Sequence, residues 1–314
     1  MLLSSGVVWR HRTFEGFRED CPGGDPALQR LIHERLDDAL DWLERVGVPP
    51  VGRETGNPRT TGRRFEPRAL TEALVRAAGD VALARPLIEL PEEAVVLATG
   101  GFAARLARER GLLLRAASWS EGDGLRLAGE RGAALTTGMN EFYGRALPAP
   151  PARIEERDFV RAAQLYGRFA TVVDDAGGLV FAGTPSWSEN DLVQAIAKQP
   201  GGVAWYRVDA HALSERVRDR TVGEMIDVAE ELGAEVRRYP FGAVAVKVAA
   251  AVTHTLGGLH VDEQARVLDA AGKPIDGLYA AGVDAGGIAT GGYASGLATA
   301  LVLGLAAAES IADG

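Results

Sequence analysis

The last quarter of the chain gathers most of the residues that could do chemistry. Val252 to Gly304 reads VTHTLGGLHVDEQARVLDAAGKPIDGLYAAGVDAGGIATGGYASGLATALVLG. His254, inside Thr253-His254-Thr255, offers an imidazole that can donate a hydrogen bond to a carboxylate or carbonyl. The Thr255 hydroxyl beside it could reach a ligand or simply pack as a β-branched strand residue. Tyr293 offers a phenol that can hydrogen-bond an enolising carbonyl, or take a proton if its pKa is lowered. Gly282, Gly286, Gly287, Gly291 and Gly292 let the backbone approach something closely. A helix follows from about Ser295, a residue type that can cap exposed N–H groups. Those groups and the helix dipole favour an electron-rich or anionic partner.

Regular elements must position this run. Ala270–Lys273 reads as a turn between two strands, the second at Gly277–Ala281, since Gly-Lys-Pro and Asp-Gly are turn signals. Upstream, Pro26–Val46 carries Leu28, Leu31, Ile32, Leu36, Ala39, Leu40 and Leu43 at helical spacing. Arg68–Ala78 predicts a second helix. Ala94–Leu97 predicts a short strand that ends in Ala98-Thr99-Gly100-Gly101. A strand feeding a Gly-rich turn can bring backbone near a nucleotide, or be a plain strand exit. Beyond Gly122-Asp123-Gly124 a helix is expected to run to about Arg131. From about Asn140 to Gly242 the texture changes. A break at 148–151 is followed by an expected hairpin at Thr171–Phe181, a strand at Val203–Val208 and a helix over Leu213–Leu232 interrupted near Thr221. The expected organisation is a discontinuous first domain, 1–139 and 243–314, with an inserted α+β domain at 140–242.

Composition bounds the class. The chain has 314 residues, 46% hydrophobic and 25% charged, with a net charge of −9. That balance describes an ordinary globular protein and argues against a nucleic-acid surface. One cysteine, Cys21, excludes an intramolecular disulfide, and the five histidines form no zinc-type spacing, so no metal is expected. The N-terminus does not read as a signal peptide, and Leu297–Ala308 falls short of the ~20 residues of a membrane helix. A cytoplasmic protein without a membrane span is expected.

The C-terminal run resembles the flavin-binding end of the fumarate reductase/succinate dehydrogenase flavoprotein superfamily, which includes ketosteroid dehydrogenases. The resemblance rests on Thr253-His254-Thr255-Leu256-Gly257-Gly258, on Pro274-Ile275-Asp276-Gly277-Leu278-Tyr279-Ala280-Ala281-Gly282, and on the Gly-rich turn into a helix. VVLATGG at Val95–Gly101 and the Gly122-Asp123-Gly124 segment extend it. It implies an α/β fold: an incomplete Rossmann-like FAD-binding domain interrupted by an α+β substrate-capping domain. FAD is the implied cofactor. Ser5, Gly6, Ala98, Thr99, Gly100, Gly282, Asp284, Ser295, Gly296 and Leu297 are the implied contacts, the last three against the pyrimidine end of the ring. His254 matches a substrate-binding histidine. Tyr293 matches a ketone-polarising tyrosine, with a shorter turn. Arg145 falls where relatives place another substrate residue and would clamp a carboxylate; Tyr143 would line the same pocket.

Three departures temper that expectation. The superfamily's strand, G-x-G-x-x-G and helix, which hold the pyrophosphate, have no match; Ser4-Ser5-Gly6-Val7-Val8-Trp9 resembles a segment that follows that unit in relatives. Roughly forty residues of the pattern are therefore expected to be missing, and a NAD-dependent enzyme is disfavoured for the same reason. Val283 stands where many relatives carry a ribose-binding glutamate; Asp284 could substitute only with a shifted loop, or be a turn residue. The run Gly178–Ser188 lacks the arginine and glutamate of fumarate reductases, and Gly291 and Gly292 stand in place of a second arginine. The expected chemistry is dehydrogenation of a CH–CH bond beside a carbonyl or carboxylate, with a small-molecule substrate and an unknown electron acceptor. The alternative is a truncated, non-catalytic remnant that does not hold FAD stably.

Overall fold

A computed structural model describes residues 2–313. The chain divides into two compact units: Met1–Phe102, Trp119–Phe142 and His254–Gly314 form the first, Ala103–Ser118 and Tyr143–Thr253 the second.

The first unit is built on two long helices. Asp25 caps Pro26–Arg45 by accepting hydrogen bonds from the N–H groups of Ala27 and Leu28, and Pro26 occupies a first-turn position where its missing N–H costs nothing. The predicted apolar positions Leu28, Ile32, Leu36, Ala39, Leu40 and Leu43 are buried. The final helix, Gly296–Asp313, packs against this one. Its inner face is Ala298, Thr299, Val302, Leu303, Ala306 and Ala307. Small residues at half those places allow close approach, and each large apolar side chain buried contributes roughly 1.5–3 kcal/mol. Arg35 grips Glu309 through two hydrogen bonds of 2.7 and 2.6 Å. The helix is longer than the sequence suggested, and by length and composition alone it could cross a membrane. Its buried face packs against Pro26–Arg45, and Glu309 near its far end pairs with Arg35.

Two small sheets complete this unit. Val7–His11 pairs antiparallel with Thr60–Arg64. Arg266–Leu268, Pro274–Ala280 and Val95–Leu97 form a three-stranded sheet in that order, its last pair parallel. That parallel pair, with helices around it, is the Rossmann-like element among the described residues. The turn after Val95–Leu97 and the turn after Pro274–Ala280 therefore leave the sheet at the same edge.

The second unit centres on the long strand Val244–Thr255. Val203–Val208 and Val236–Arg238 pair with it antiparallel, Leu113–Leu114 pairs parallel, and Thr171–Val173 extends the sheet beyond Val203–Val208. The parallel partner explains why Ala103–Ser118 belongs here and not with the segments on either side of it. Residues 243–253 join this unit too, because the strand pairs within it along that length. The expected helix over Leu213–Leu232 is shorter: a tight hairpin, Arg216–Val217 with Arg220–Thr221, precedes a helix at Val222–Glu231. Thr221 and Glu224 form a capping box at its start.

Candidate active site

A small, half-open cleft lies in the first unit where the sheet's C-terminal edge meets the start of the final helix. His254, Thr255, Gly282, Val283, Ala294 and Gly296 are among its walls. Four separate stretches of the last quarter thus converge on one surface, as the Gly-rich run requires.

Backbone donors stand at the closed end. Ser295 accepts from the N–H of Ala298 at 3.3 Å, which satisfies one N-terminal donor of the helix. The N–H groups of Gly296 and Leu297, in the first turn, have no carbonyl one turn earlier to bond. They and the helix dipole create a positive end beside the cleft. A side chain at Gly296 would reach within 3.4 Å of the His254 ring, so glycine keeps this corner open.

Aromatic rings fix the candidate catalytic side chains. The His254 and Tyr293 rings lie 6.3 Å apart, tilted by 39°. Tyr293 meets Trp9 edge to face at 5.4 Å. Trp9 in turn meets His11 at 5.4 Å, and His11 stacks on Phe17 at 4.8 Å. His11 Nε2 lies 3.0 Å from an Asp20 carboxylate oxygen, yet burial outweighs that partner and holds the imidazole pKa below its usual value. His11 is thus a structural support. Trp9, in the same segment as Ser5 and Gly6, is a ring support that the sequence does not single out. The Gly6 position is demanded by the chain itself, since a Cβ there would sit 2.0 Å from the Phe65 carbonyl oxygen, and Ser5 is exposed.

Asp284 belongs to the turn that follows Pro274–Ala280. It is fully buried and turns inward, with its carboxylate accepting from the Thr99 backbone N–H, the Thr99 hydroxyl at 2.9 Å and the Gly100 N–H at 3.2 Å. The Thr99 hydroxyl also accepts from Gly124 N–H at 3.2 Å. A Cβ on Gly124 would meet both side chains at 2.8 Å. Burial pushes the carboxyl pKa up, against the lowering effect of these donors. Asp284 therefore clasps three turns together: the exit of Val95–Leu97, the start of the helix Asp123–Glu130, and the exit of Pro274–Ala280. Its two oxygens accept these hydrogen bonds from the protein itself. Thr99 and Gly100 serve the same clasp, while Ala98 beside them is exposed.

Arg145 and Tyr143 lie in the second unit on the fully buried strand Phe142–Pro148. The Arg145 guanidinium donates to the Ser188 carbonyl at 2.6 Å and sits 5.1 Å from the centre of the Tyr143 ring. It also faces buried Glu189, whose carboxyl pKa burial raises despite that charge. Arg145 is engaged inside its own unit rather than poised as an open carboxylate clamp. Among the described residues no cluster of three or more His, Cys, Asp or Glu could hold a metal.

The cleft suits the ring end of a flavin. It offers a mostly apolar lining, an anion-favouring helix start, a glycine corner that a side chain would fill, and one buried hydroxyl without a partner, on Thr255. Val283 adds an aliphatic wall and no hydrogen bond.

The comparisons agree with this geometry. The family model described as FAD binding domain matches residues 88–297, more than half of the chain. A probable fumarate reductase of Shewanella frigidimarina is 29% identical over 241 residues, 62% of this chain and 40% of that protein. The NADH:fumarate oxidoreductase of Klebsiella pneumoniae is 24% identical over an aligned 358 positions, 87% of this chain and 38% of that one. The chain thus spans about two fifths of the length of these curated relatives. Among solved structures, the open conformation of a flavocytochrome c3 fumarate reductase superposes with a TM-score of 0.67 at 22% identity, covering 98% of this chain and 68% of that one. A 3-ketosteroid-delta4-(5alpha)-dehydrogenase of Rhodococcus jostii, in complex with 4-androstene-3,17-dione, does so with 0.67 at 16%, covering 99% and 88%. At these identities the structures speak to the fold, and the family match speaks to the cofactor. The chain belongs to the FAD binding domain family, within the fumarate reductase/succinate dehydrogenase flavoprotein superfamily, and its cofactor is FAD.

Proposed function

We propose that the chain is an FAD-dependent oxidoreductase that dehydrogenates a CH–CH bond beside a carbonyl or carboxylate of a small molecule. FAD, when bound, supplies the acceptor for the hydride that leaves one carbon; the proton on the neighbouring carbon goes to a side chain. The start of the final helix, Gly296 and Leu297, favours the negative charge that the ring gains on reduction. His254 donates a hydrogen bond to the substrate's carbonyl or carboxylate oxygen. Tyr293, held between Trp9 and His254, takes or relays the proton.

One observation carries the reading: His254 lines a cleft at the start of the final helix, and the Tyr293 ring stands 6.3 Å from the His254 ring. The two curated relatives are named for fumarate, but this chain has Gly291 and Gly292 where an arginine is expected for that substrate, which favours a neutral ketone over a dicarboxylate. The test is anaerobic. Protein loaded with FAD is mixed with a saturated 3-ketosteroid or with succinate, and the absorbance near 450 nm of oxidised flavin is followed. Bleaching with the ketone supports the reading, and bleaching with succinate alone moves the substrate class. Failure to take up FAD at all would leave the non-catalytic alternative.

A further inference from the structure

The walls of the cleft carry one polar group that the fold leaves unsatisfied. Thr255 ends the strand Val244–Thr255, is 4% exposed, and its hydroxyl oxygen is fully buried with no hydrogen-bond partner. Neighbouring hydroxyls behave differently. The Thr136 hydroxyl bonds both the N–H and the carbonyl of Gly258, the Thr299 hydroxyl donates to the Ser295 carbonyl, and the Thr99 hydroxyl donates to Asp284. This part of the chain finds partners for its hydroxyls wherever it can. Among the described residues the hydroxyls of Thr290, Tyr166 and Tyr206 are also buried without a partner, but Thr290 is wedged between Gly23 and Gly138, and none of the three lines the cleft.

A side chain is also kept away from the Thr255 hydroxyl. Gly101 lies across from it at a φ of +69°, and a Cβ there would come within 3.0 Å of the hydroxyl oxygen. Two features thus coincide: an unpaired hydroxyl on a residue that lines the cleft, and a glycine against that hydroxyl where any side chain would press on it. A buried hydroxyl without a partner destabilises the protein that carries it, so a group that satisfies it gains that difference on binding.

We propose that Thr255 is a positioning residue whose hydroxyl hydrogen-bonds a polar edge atom, a carbonyl oxygen or ring nitrogen, of the heteroaromatic ring in the cleft. The proposal rests on the flavin reading above and deepens it: it names a side chain that fixes the plane and register of the ring. It also makes an unusual pairing of signs. Removing the hydroxyl should relieve the ligand-free protein and penalise the bound one.

The experiment compares wild type with Thr255→Val, which keeps the shape and removes the hydroxyl, and Thr255→Ser, which keeps the hydroxyl and loses a methyl. FAD affinity is read by quenching of flavin fluorescence, and stability by thermal melting without FAD. Thr255→Val is expected to melt no lower than wild type and to bind FAD about tenfold more weakly. Thr255→Ser is expected to stay close to wild type in affinity. Valine binding as tightly as wild type would overturn the proposal, as would valine and serine losing affinity equally, since that pattern reports packing. A lower melting point for valine would mean that a buried water already satisfies the hydroxyl, and would overturn it as well. Wild type that takes up no FAD would refute the flavin reading itself, and this inference with it; wild type that binds FAD while valine matches it refutes Thr255 alone.

Discussion

At the scale of single residues, the chain separates groups that hold the site from groups that face it. Tyr293 and Asp284 are nine residues apart and illustrate the two cases. Tyr293 is held by ring contacts with Trp9 and His254. Tyr293→Phe keeps both contacts, so FAD uptake and melting temperature should stay at wild-type values while turnover falls by about a hundredfold or more, the usual scale for losing a proton-transfer group. Equal loss of turnover and FAD content would make the tyrosine structural. His254→Ala should likewise cut turnover far more than flavin content. Asp284 is the opposite case. Asp284→Asn turns one acceptor oxygen into a donor that faces the Thr99 and Gly100 N–H groups. The expected loss is about 1–3 kcal/mol in stability, with FAD binding weakened only as far as the turns loosen. Denaturant titration measures it; unchanged stability would mean that the clasp is incidental. The sequence shows an acid after Ala281-Gly282-Val283 but not which way it points. Direction depends on Thr99 and Gly124, which are 185 and 160 residues away and reach it only through the fold.

Elements were legible where a local period specifies them. Pro26–Arg45 follows from apolar spacing, Val95–Leu97 from a β-branched run, and Pro274–Ala280, expected only from Gly277, from the turn signals before it. Pairing between distant segments was not legible, which is why Ala103–Ser118 changed unit. The glycines of the last quarter expose a subtler limit. A glycine is needed equally where a ligand or another backbone comes close, and sequence alone cannot tell the two apart. A Cβ on Gly286 would lie 1.9 Å from the Gly258 backbone nitrogen, and one on Gly292 would lie 1.7 Å from the Asp20 carbonyl oxygen. These positions serve the chain's own packing. Gly282 and Gly296 face the cleft. Gly286→Ala should therefore abolish soluble folded protein, as a backbone clash cannot relax cheaply. Gly296→Ala should melt at or above the wild-type temperature, because alanine suits a helix better, yet bind FAD more weakly because the methyl enters the ring's space. Melting curves with and without FAD read both; a Gly296→Ala protein with full FAD affinity would place the ring elsewhere.

At the scale of the whole molecule, binding and folding are linked, and the chain carries one natural reporter of that link. Cys21 is its single cysteine. The thiol is fully buried, and desolvation together with the Asp20 carboxylate pushes its pKa up to about 12. It therefore stays protonated and unreactive at pH 8 in the native protein, since the thiolate is the nucleophile. A hydrogen bond to the Tyr293 backbone opposes that rise, and a side chain on Gly292 would touch the sulfur at 3.2 Å. Reaching the thiol therefore requires the stretch that carries Tyr293 to open. FAD held at the cleft beside Tyr293 favours the closed form, and a ligand that binds only that form lowers the open population by a factor of one plus its concentration over Kd. At FAD one hundred times its Kd, alkylation of Cys21 by a maleimide should slow about a hundredfold. Riboflavin, which shares the ring and lacks the diphosphate, should protect in proportion to its own occupancy. Mass spectrometry of the alkylated protein over time follows the reaction without reference to turnover. Rapid labelling of the native protein at pH 8, or rates indifferent to saturating FAD, would mean that the Tyr293 segment and the flavin cleft do not open as one body.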